Sequence, residues 1–360
     1  MRAIHYGLIE LCLFAGTINA MRPKIVLHDH LDGGVRPATI LELAAEAGLQ
    51  LPREDLAELT RWFTITPGMP LAEAWQRFYV VIESLQSAAS LQRVAHEAVE
   101  DLAADGVVYA EFRFAPLSHQ QDGLTPDEVL EAVTAGMASG EQATGCVART
   151  IVCGLRENDP AESAAAARLA ASWRDRGVVG FDLAGNEVDY PADLHAAAFA
   201  IAREAGLGIT IHAGEMAGAE SIAAALAVAQ PTRIGHGLRL IEDCEVVEGR
   251  ITSLGGVARA IHDDGTMLEV CVTSNSCLGT PVSAHPVRMF HDAGIAVSVN
   301  PDDRAITTTT VEREYRLWRE IHGFTVAELG QTNLDALDAA FCDEETKSRL
   351  RQVVRVGWDL

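Results

Sequence analysis

The chain contains almost no lysine. Only Lys24 and Lys347 occur among its 360 residues, and arginine supplies the rest of the positive charge. An enzyme that forms a Schiff base needs a buried amine, and a two-metal hydrolase of the carbamylated-lysine type needs one on an inner strand. Neither lysine suits these roles, which disfavours both classes.

Positive charge is scarce overall. The chain has 28 basic and 51 acidic residues, which gives a net charge of −23. Phosphate backbones and anionic lipid surfaces attract the opposite sign, so nucleic acids and membranes are disfavoured as partners. A small neutral or cationic substrate is easier to accommodate. The oligomeric state is left open.

Cysteines in metal or redox spacing are also missing. The seven cysteines are odd in number and scattered, without a CxxC pair. This usage is typical of a protein from a reducing cytoplasm, which is the predicted location.

No apolar run is long enough to span a bilayer. The run at 8–15 is short and carries Glu10, although it superficially resembles a secretory signal. We expect residues 1–20 to be a disordered or mis-annotated extension, with translation beginning at Met21. Residues 21–360 are then predicted to form a single domain.

Eight apolar segments rich in β-branched residues alternate with helical patterns. This alternation predicts parallel pairing, and eight units favour a closed (β/α)8 TIM barrel. We expect a helical insertion at 51–90, after the first strand, to cover the catalytic end as a lid, and further helices to follow Thr310. The predicted strands are 24–30, 107–114, 149–156, 178–183, 207–214, 232–237, 266–273 and 296–303.

Four short motifs end the first, fifth, sixth and eighth of these strands. They are HDH at 28–30, HAGE at 212–215, GHG at 235–237 and PDD at 301–303. Residues two apart on a strand point to the same side, so both histidines of HDH can face the barrel mouth. Three histidines and a carboxylate from such positions match the ligands of one divalent metal.

Each motif alone has a plainer interpretation. HDH can be a set of ordinary polar residues on a strand. HAGE can be an acidic residue at a helix N-terminus next to a core histidine, and PDD can be an acidic turn. His236, between two glycines, suggests either a catalytic base or a partner of a metal ligand. Because all four motifs fall at strand ends, their joint occurrence favours a catalytic metal site.

At these residues the sequence resembles the adenosine deaminase family of metal-dependent hydrolases. HDHLDGG, DLAGNE, HAGE, RIGHG, TSN at 273–275 and NPDD stand in the family's order. The likeness runs from about Lys24 to the end of the chain, where VAELGQTNLDALDAAF resembles the family's last helices. It implies a barrel with one zinc ion, and the implied zinc ligands are His28, His30, His212 and Asp302.

The resemblance also implies the reaction. Water activated by zinc would attack C6 of a purine nucleoside, His236 would help take the water's proton and orient it, and protonated Glu215 would donate to N1. Ammonia then leaves and inosine remains, so turnover of adenosine and of 2′-deoxyadenosine is expected. Asp303 would meet N7 as a third catalytic residue. The other implied substrate contacts are His30, Asp32 at a ribose hydroxyl, and the backbone N–H of Gly185.

Some positions depart from the family pattern. Asp29 stands where an apolar residue is usual, Pro301 replaces a small hydroxyl residue, and Arg304 replaces a proline and would add a cation at the pocket edge. Because of these changes, the substrate could instead be another 6-aminopurine compound, such as aminodeoxyfutalosine or adenine. Asp32 favours a nucleoside, since relatives that take adenine typically carry glutamate there. A nucleoside-binding protein without turnover is a further alternative.

Overall fold

The predicted (β/α)8 architecture is confirmed. The structure, a computed structural model, describes residues 21–360, and the expectations for residues 1–20 lie outside this part. The barrel strands are β1 Lys24–His30, β2 Val107–Phe114, β3 Val147–Leu155, β4 Val178–Ala184, β5 Gly208–Ala213, β6 Arg233–His236, β9 Met267–Val270 and β10 Val297–Val299. These eight parallel strands form one nearly closed sheet in the order β1-β2-β3-β4-β5-β6-β9-β10.

An antiparallel hairpin that the sequence pattern did not predict follows β6. It consists of β7 Cys244–Val247 and β8 Arg250–Leu254, and it forms a separate two-stranded sheet. Its residues are mostly exposed or half-buried. The hairpin therefore lacks the buried apolar run that predicts a barrel strand.

Helices connect the strands and extend the chain beyond the barrel. The first four are α1 Pro37–Ala47, α2 Leu56–Phe63, α3 Leu71–Ser84 and α4 Ala88–Ala104. The next five are α5 Pro126–Thr144, α6 Pro160–Ser172, α7 Ala196–Glu204, α8 Ala219–Ala229 and α9 Gly256–Asp264. The last five are α10 Val272–Cys277, α11 Val287–Asp292, α12 Val311–Glu320, α13 Val326–Ala339 and α14 Glu344–Trp358. Within residues 21–360, no helix has both the length and the apolar character needed to cross a bilayer.

The insertion after β1 contacts the segment that follows β10. Helices α2 and α3 lie within it, as the sequence predicts. The N–H of Ile65 donates to the carbonyl of Ile306 at 2.9 Å, and the hydroxyls of Thr64 and Thr308 lie 2.8 Å apart. These contacts bring the insertion to the segment that carries the PDD motif.

Side chains close the seam between β1 and β10. The Asn300 Oδ1 atom accepts hydrogen bonds from the backbone N–H groups of Leu27 and His28, at 2.8 and 3.0 Å. Further along, the N–H of His30 donates to the Asp302 carbonyl at 3.0 Å. One asparagine thus satisfies two buried donors that an ordinary strand ladder would pair.

Replacing Asn300 should weaken the barrel at this seam. We expect Asn300→Ala to lower the free energy of unfolding by about 2 to 5 kcal/mol, because two buried N–H groups lose their acceptor. Urea unfolding followed by circular dichroism measures the change. Asn158→Ala, at an exposed side chain, is the control and should change stability by less than about 0.5 kcal/mol. Equal stability of the two variants would contradict the assigned role of Asn300.

Candidate active site

Four potential metal ligands from three parts of the barrel meet at its mouth. His28 and His30 end β1, His212 lies near the end of β5, and Asp302 follows β10. One ligand atom from each of these residues lies within 4.8 Å of the others. Asp302 Oδ1 is 3.0 Å from His28 Nε2, and the Nε2 atoms of His30 and His212 are 3.1 Å apart.

The donor set fits a divalent metal. His28 Nε2 and Asp302 Oδ1 are both buried and have no hydrogen-bond partner of acceptable geometry. Such atoms are costly to bury unless something coordinates them. Three imidazole nitrogens and one carboxylate suit zinc in particular. The four residues predicted as ligands are therefore the ones that would hold the ion.

Buried carboxylates orient two of the histidines from behind. His28 Nδ1 lies 2.8 Å from Glu269 Oε2, and His212 Nδ1 lies 3.0 Å from Asp182 Oδ2. An ionised carboxylate can only accept, so each histidine carries its proton on Nδ1 and turns the lone pair of Nε2 toward the cluster. This is the tautomer that a metal requires.

Arginines hold these two carboxylates in the ionised form. Arg113 contacts both, at 2.8 Å from Asp182 Oδ2 and 2.7 Å from Glu269 Oε2, and Arg233 contacts Glu269 Oε1 at 2.6 Å. Burial would raise the pKa of Asp182 and Glu269, but the adjacent arginine and histidine charges outweigh it. The pKa of each carboxyl is held well below its usual range.

Glu215 and His236 face the cluster from neighbouring strand ends. His236 Nε2 lies 3.4 Å from Glu215 Oε1 and 3.8 Å from Asp302 Oδ2. Burial, together with the nearby Asp302 and Glu187 charges, raises the pKa of Glu215 well above its usual range. A carboxyl group in this environment can carry a proton at neutral pH and donate it.

The Glu187 side chain shapes the loop that carries Glu215. Its Oε1 atom accepts from the backbone N–H groups of Glu215, Met216 and Ala217 at 2.7, 2.5 and 2.8 Å. Its Oε2 atom accepts from the N–H of Gly214 at 2.9 Å. One carboxylate therefore fixes four consecutive amides of the HAGE turn.

The chain turns at Asp302. Adjacent residues on a strand point to opposite sides, so Asp302 and Asp303 can both face the site only because of this turn. Asp302 has a left-handed backbone with φ of 64°, a conformation that aspartate tolerates better than most residues. A Cβ atom on Gly33 would lie 1.8 Å from Asp303 Oδ1, so only glycine allows Asp303 this position. Asp303 Oδ1 is buried without a hydrogen-bond partner, and burial beside Asp302 raises the pKa of Asp303 well above its usual range.

Asp32 and Gly185 have environments compatible with their predicted substrate contacts. Asp32 is half-buried, and burial raises its pKa to about 6. Gly185 has φ of +104°, and a Cβ atom there would approach Glu157 Oε2 to 2.2 Å. Both the backbone conformation and the close carboxylate thus require glycine at 185.

Arg304 is not an isolated cation. Its Nε atom lies 2.6 Å from Asp29 Oδ2, and its Nη1 atom lies 3.5 Å from Asp101 Oδ2. Two of the unusual residues noted in the sequence, Asp29 and Arg304, therefore form one buried ion pair. It joins β1 to the turn after Asp302.

The sequence interpretation missed the charged residues that support the site. Arg113, Asp182, Arg233 and Glu269 are all fully buried within strands. The available signal was a charged residue inside an otherwise apolar strand, because such a residue is retained only when it is paired. Glu187, the last residue of DLAGNE, had no predicted role.

Together these groups provide the parts of a metal-assisted hydrolytic site. The cluster can hold a metal ion, and Glu215 can exchange a proton with a substrate. His236 lies close to both Glu215 and the Asp302 of the cluster. Asp303 offers an unpartnered carboxyl oxygen to a ligand.

The ligand set predicts a defined metal content. We expect protein dialysed against zinc to hold one ion per chain, whereas His28→Ala and Asp302→Ala should hold much less, because each loses one of four donors. Mass spectrometry of the metal in desalted protein gives the ratio. Asp303→Asn is the control and should keep its zinc. Full zinc content in both ligand variants would refute the assignment.

Comparison with known proteins identifies the family of the chain. Residues 23–356 match the family model described as adenosine deaminase. An adenosine deaminase from Mycobacteroides abscessus is 40% identical over 346 residues, which cover 93% of this chain and 95% of the relative.

Two solved structures share the fold. An adenine deaminase from Arthrobacter aurescens superposes with a TM-score of 0.84 at 26% identity, covering 95% of this chain and 100% of that one. An amidohydrolase from Burkholderia ambifaria with bound zinc superposes with a TM-score of 0.83 at 26% identity, covering 96% and 95%. The chain belongs to the adenosine deaminase family of the amidohydrolase superfamily.

Proposed function

We propose that this protein is a zinc-dependent adenosine deaminase that converts adenosine and 2′-deoxyadenosine to inosine, or 2′-deoxyinosine, and ammonia. The observation that carries the proposal is the placement of Glu215 and His236 against the four-ligand cluster. His236 Nε2 lies 3.4 Å from Glu215 and 3.8 Å from Asp302. The 40% identity to an adenosine deaminase from Mycobacteroides abscessus supports the same substrate.

His28, His30, His212 and Asp302 would hold a zinc ion, which, when bound, would lower the pKa of a water molecule and so activate it. Water then provides the oxygen that becomes bonded to C6, while the bond from C6 to the amino nitrogen breaks. Of the two protons of water, one ends on N1 of inosine and the other leaves with ammonia.

Each remaining residue has a task set by its environment. Glu215 gives a proton to N1, which makes C6 more electrophilic, and its raised pKa keeps that proton available. His236 contacts the attacking oxygen. Asp303, also with a raised pKa, can donate to the N7 acceptor of the purine.

The charges near the site favour a nucleoside over a nucleotide. Arg156 donates to the carbonyls of His212 and Tyr190, at 2.6 and 2.9 Å. Arg113 and Arg304 are held by carboxylates. These three cations are therefore engaged by the protein, while Asp32, whose pKa of about 6 leaves it mostly ionised at neutral pH, would repel a phosphate. An uncharged ribose fits this surrounding better.

Adenine is the second candidate substrate. The adenine deaminase from Arthrobacter aurescens, which shares this fold at 26% identity, supports it. The other alternative, a larger 6-aminopurine such as aminodeoxyfutalosine, was suggested by a free cation at Arg304. Arg304 is paired with Asp29 and so is not a free cation, which weakens the case for that substrate.

The decisive assay compares substrates and one isosteric variant. We expect zinc-loaded protein to release ammonia from adenosine and 2′-deoxyadenosine, with a higher kcat/KM than for adenine. Glu215→Gln should lower kcat by about 100-fold to 10,000-fold, because the amide cannot donate an acidic proton. Glu220→Gln, at an exposed carboxylate of α8, is the control and should keep full activity.

Two outcomes would count against the proposal. Adenosine turnover no faster than that of Glu215→Gln would remove the deaminase assignment. Ammonia released only from adenine would keep the chemistry and change the substrate.

A further inference from the structure

A chain of buried hydrogen bonds, which we call the relay, runs from His236 through Asn275 to His285, away from the metal cluster. His236 Nδ1 lies 3.2 Å from Asn275 Nδ2, and Asn275 Oδ1 lies 3.1 Å from His285 Nε2. The backbone N–H of Val287 donates to His285 Nδ1 at 3.2 Å. The three side chains are buried, so their hydrogen bonds do not compete with bulk water.

The last link sets the direction of the whole chain. A backbone N–H can only donate, so His285 Nδ1 must be an acceptor. Burial, helped by the neighbouring His322, lowers the pKa of His285 to about 3, so the ring is neutral at neutral pH. Its single proton is therefore on Nε2, and this N–H donates to Asn275.

This donation fixes the amide of Asn275. Oxygen must face His285, since only the oxygen of an amide can accept. The amide nitrogen then faces His236 and donates to Nδ1. Nδ1 of His236 is thereby an acceptor, and it carries no proton in the neutral ring.

We infer that Val287, His285 and Asn275 hold neutral His236 in the tautomer with its proton on Nε2, so that His236 offers a donor to the reacting oxygen. The Nε2 atom is the one that faces Glu215 and Asp302. His28 and His212 have the opposite arrangement, because carboxylates accept from their Nδ1–H groups and leave Nε2 bare.

The tautomer defines what His236 does in the proposed reaction, and this part of the inference rests on the proposed function. A neutral ring with an Nε2–H group has no lone pair directed at the cavity. It can therefore orient a hydroxide by donating to it, but it cannot be the first acceptor of the water's proton. Of the two tasks that the family resemblance gives His236, the relay favours orientation. Asn275 and His285 are positioning residues.

Nitrogen NMR reads the tautomer directly. We expect a long-range proton–nitrogen correlation spectrum of zinc-loaded protein labelled with ¹⁵N-histidine to show the pattern of a neutral Nε2–H ring for His236. The signals are assigned by their loss in His236→Gln. A pattern with the proton on Nδ1 would overturn the inference, whether or not the protein deaminates adenosine.

Asn275→Asp tests the role of the relay. A carboxylate accepts from both sides, so His236 should move its proton to Nδ1 and leave Nε2 bare. If His236 acts as a donor, kcat falls by about 10-fold or more with little change in KM. Asn158→Asp, at an exposed site, is the control for the added charge and should leave both tautomer and kcat unchanged.

The results separate the possible failures. A changed tautomer with undiminished kcat would show that His236 does not act as a donor. An unchanged tautomer in Asn275→Asp would show that the relay does not set it. If adenosine is not a substrate at all, the nitrogen spectra still decide the tautomer, so the two proposals fail independently. Should Asn275→Asp not fold, the spectrum of the unsubstituted protein decides.

Discussion

The ion pairs of Arg113 with Asp182 and Glu269 are the constraint on which the site depends. All three side chains are fully buried, where an unpaired charge would be very unfavourable. Arg113 also donates to the carbonyl of Leu27 at 2.7 Å, immediately before the first metal ligand of β1. Arg113 thus links four strands of the barrel, and the two carboxylates accept hydrogen bonds from the Nδ1–H groups of His28 and His212. We therefore expect metal binding at this site to depend on the buried network.

The partner of each histidine decides its chemistry. Behind His28 and His212 stand acceptors, which turn lone pairs toward the cluster. Behind His236 stands the amide of Asn275, a donor, which turns an N–H toward the same cavity. By this account, histidines only 4.7 to 5.2 Å apart between ring centroids are divided into two candidate metal ligands, His28 and His212, and a proposed donor, His236. The division lies in residues that do not touch the substrate position.

Much of the fold and the four residues of the candidate metal cluster could be predicted from the sequence. The eight strands were found because their apolar runs alternate with helical periods. The four candidate ligands could be expected to meet because HDH, HAGE and PDD stand at strand ends, and the structure brings them together. Family resemblance added roles for Asp32, Gly185 and Asp303 that spacing alone could not supply, and these roles remain proposals.

Other features depend on contacts between distant residues. Asp29 and Arg304 are 275 positions apart, and nothing local to either shows that they pair. The direction of the His285–Asn275–His236 relay depends on one backbone N–H, at Val287. The exposed hairpin of β7 and β8 lacks the apolar pattern that identifies a barrel strand. In each case the information lies in three-dimensional contact rather than in periodicity.

Zinc affinity in two isosteric variants tests the dependence of the metal site on the buried charges most directly. Glu269 contacts the candidate ligand His28. Glu111 also pairs with Arg233, but its hydrogen bonds go to Tyr109, Arg233 and Phe341 and to none of the four candidate ligands. In competition with a chelator, Glu269→Gln should bind zinc about 10- to 100-fold more weakly, while Glu111→Gln should keep the affinity of the unsubstituted protein. Equal zinc affinity of the two variants would contradict the account.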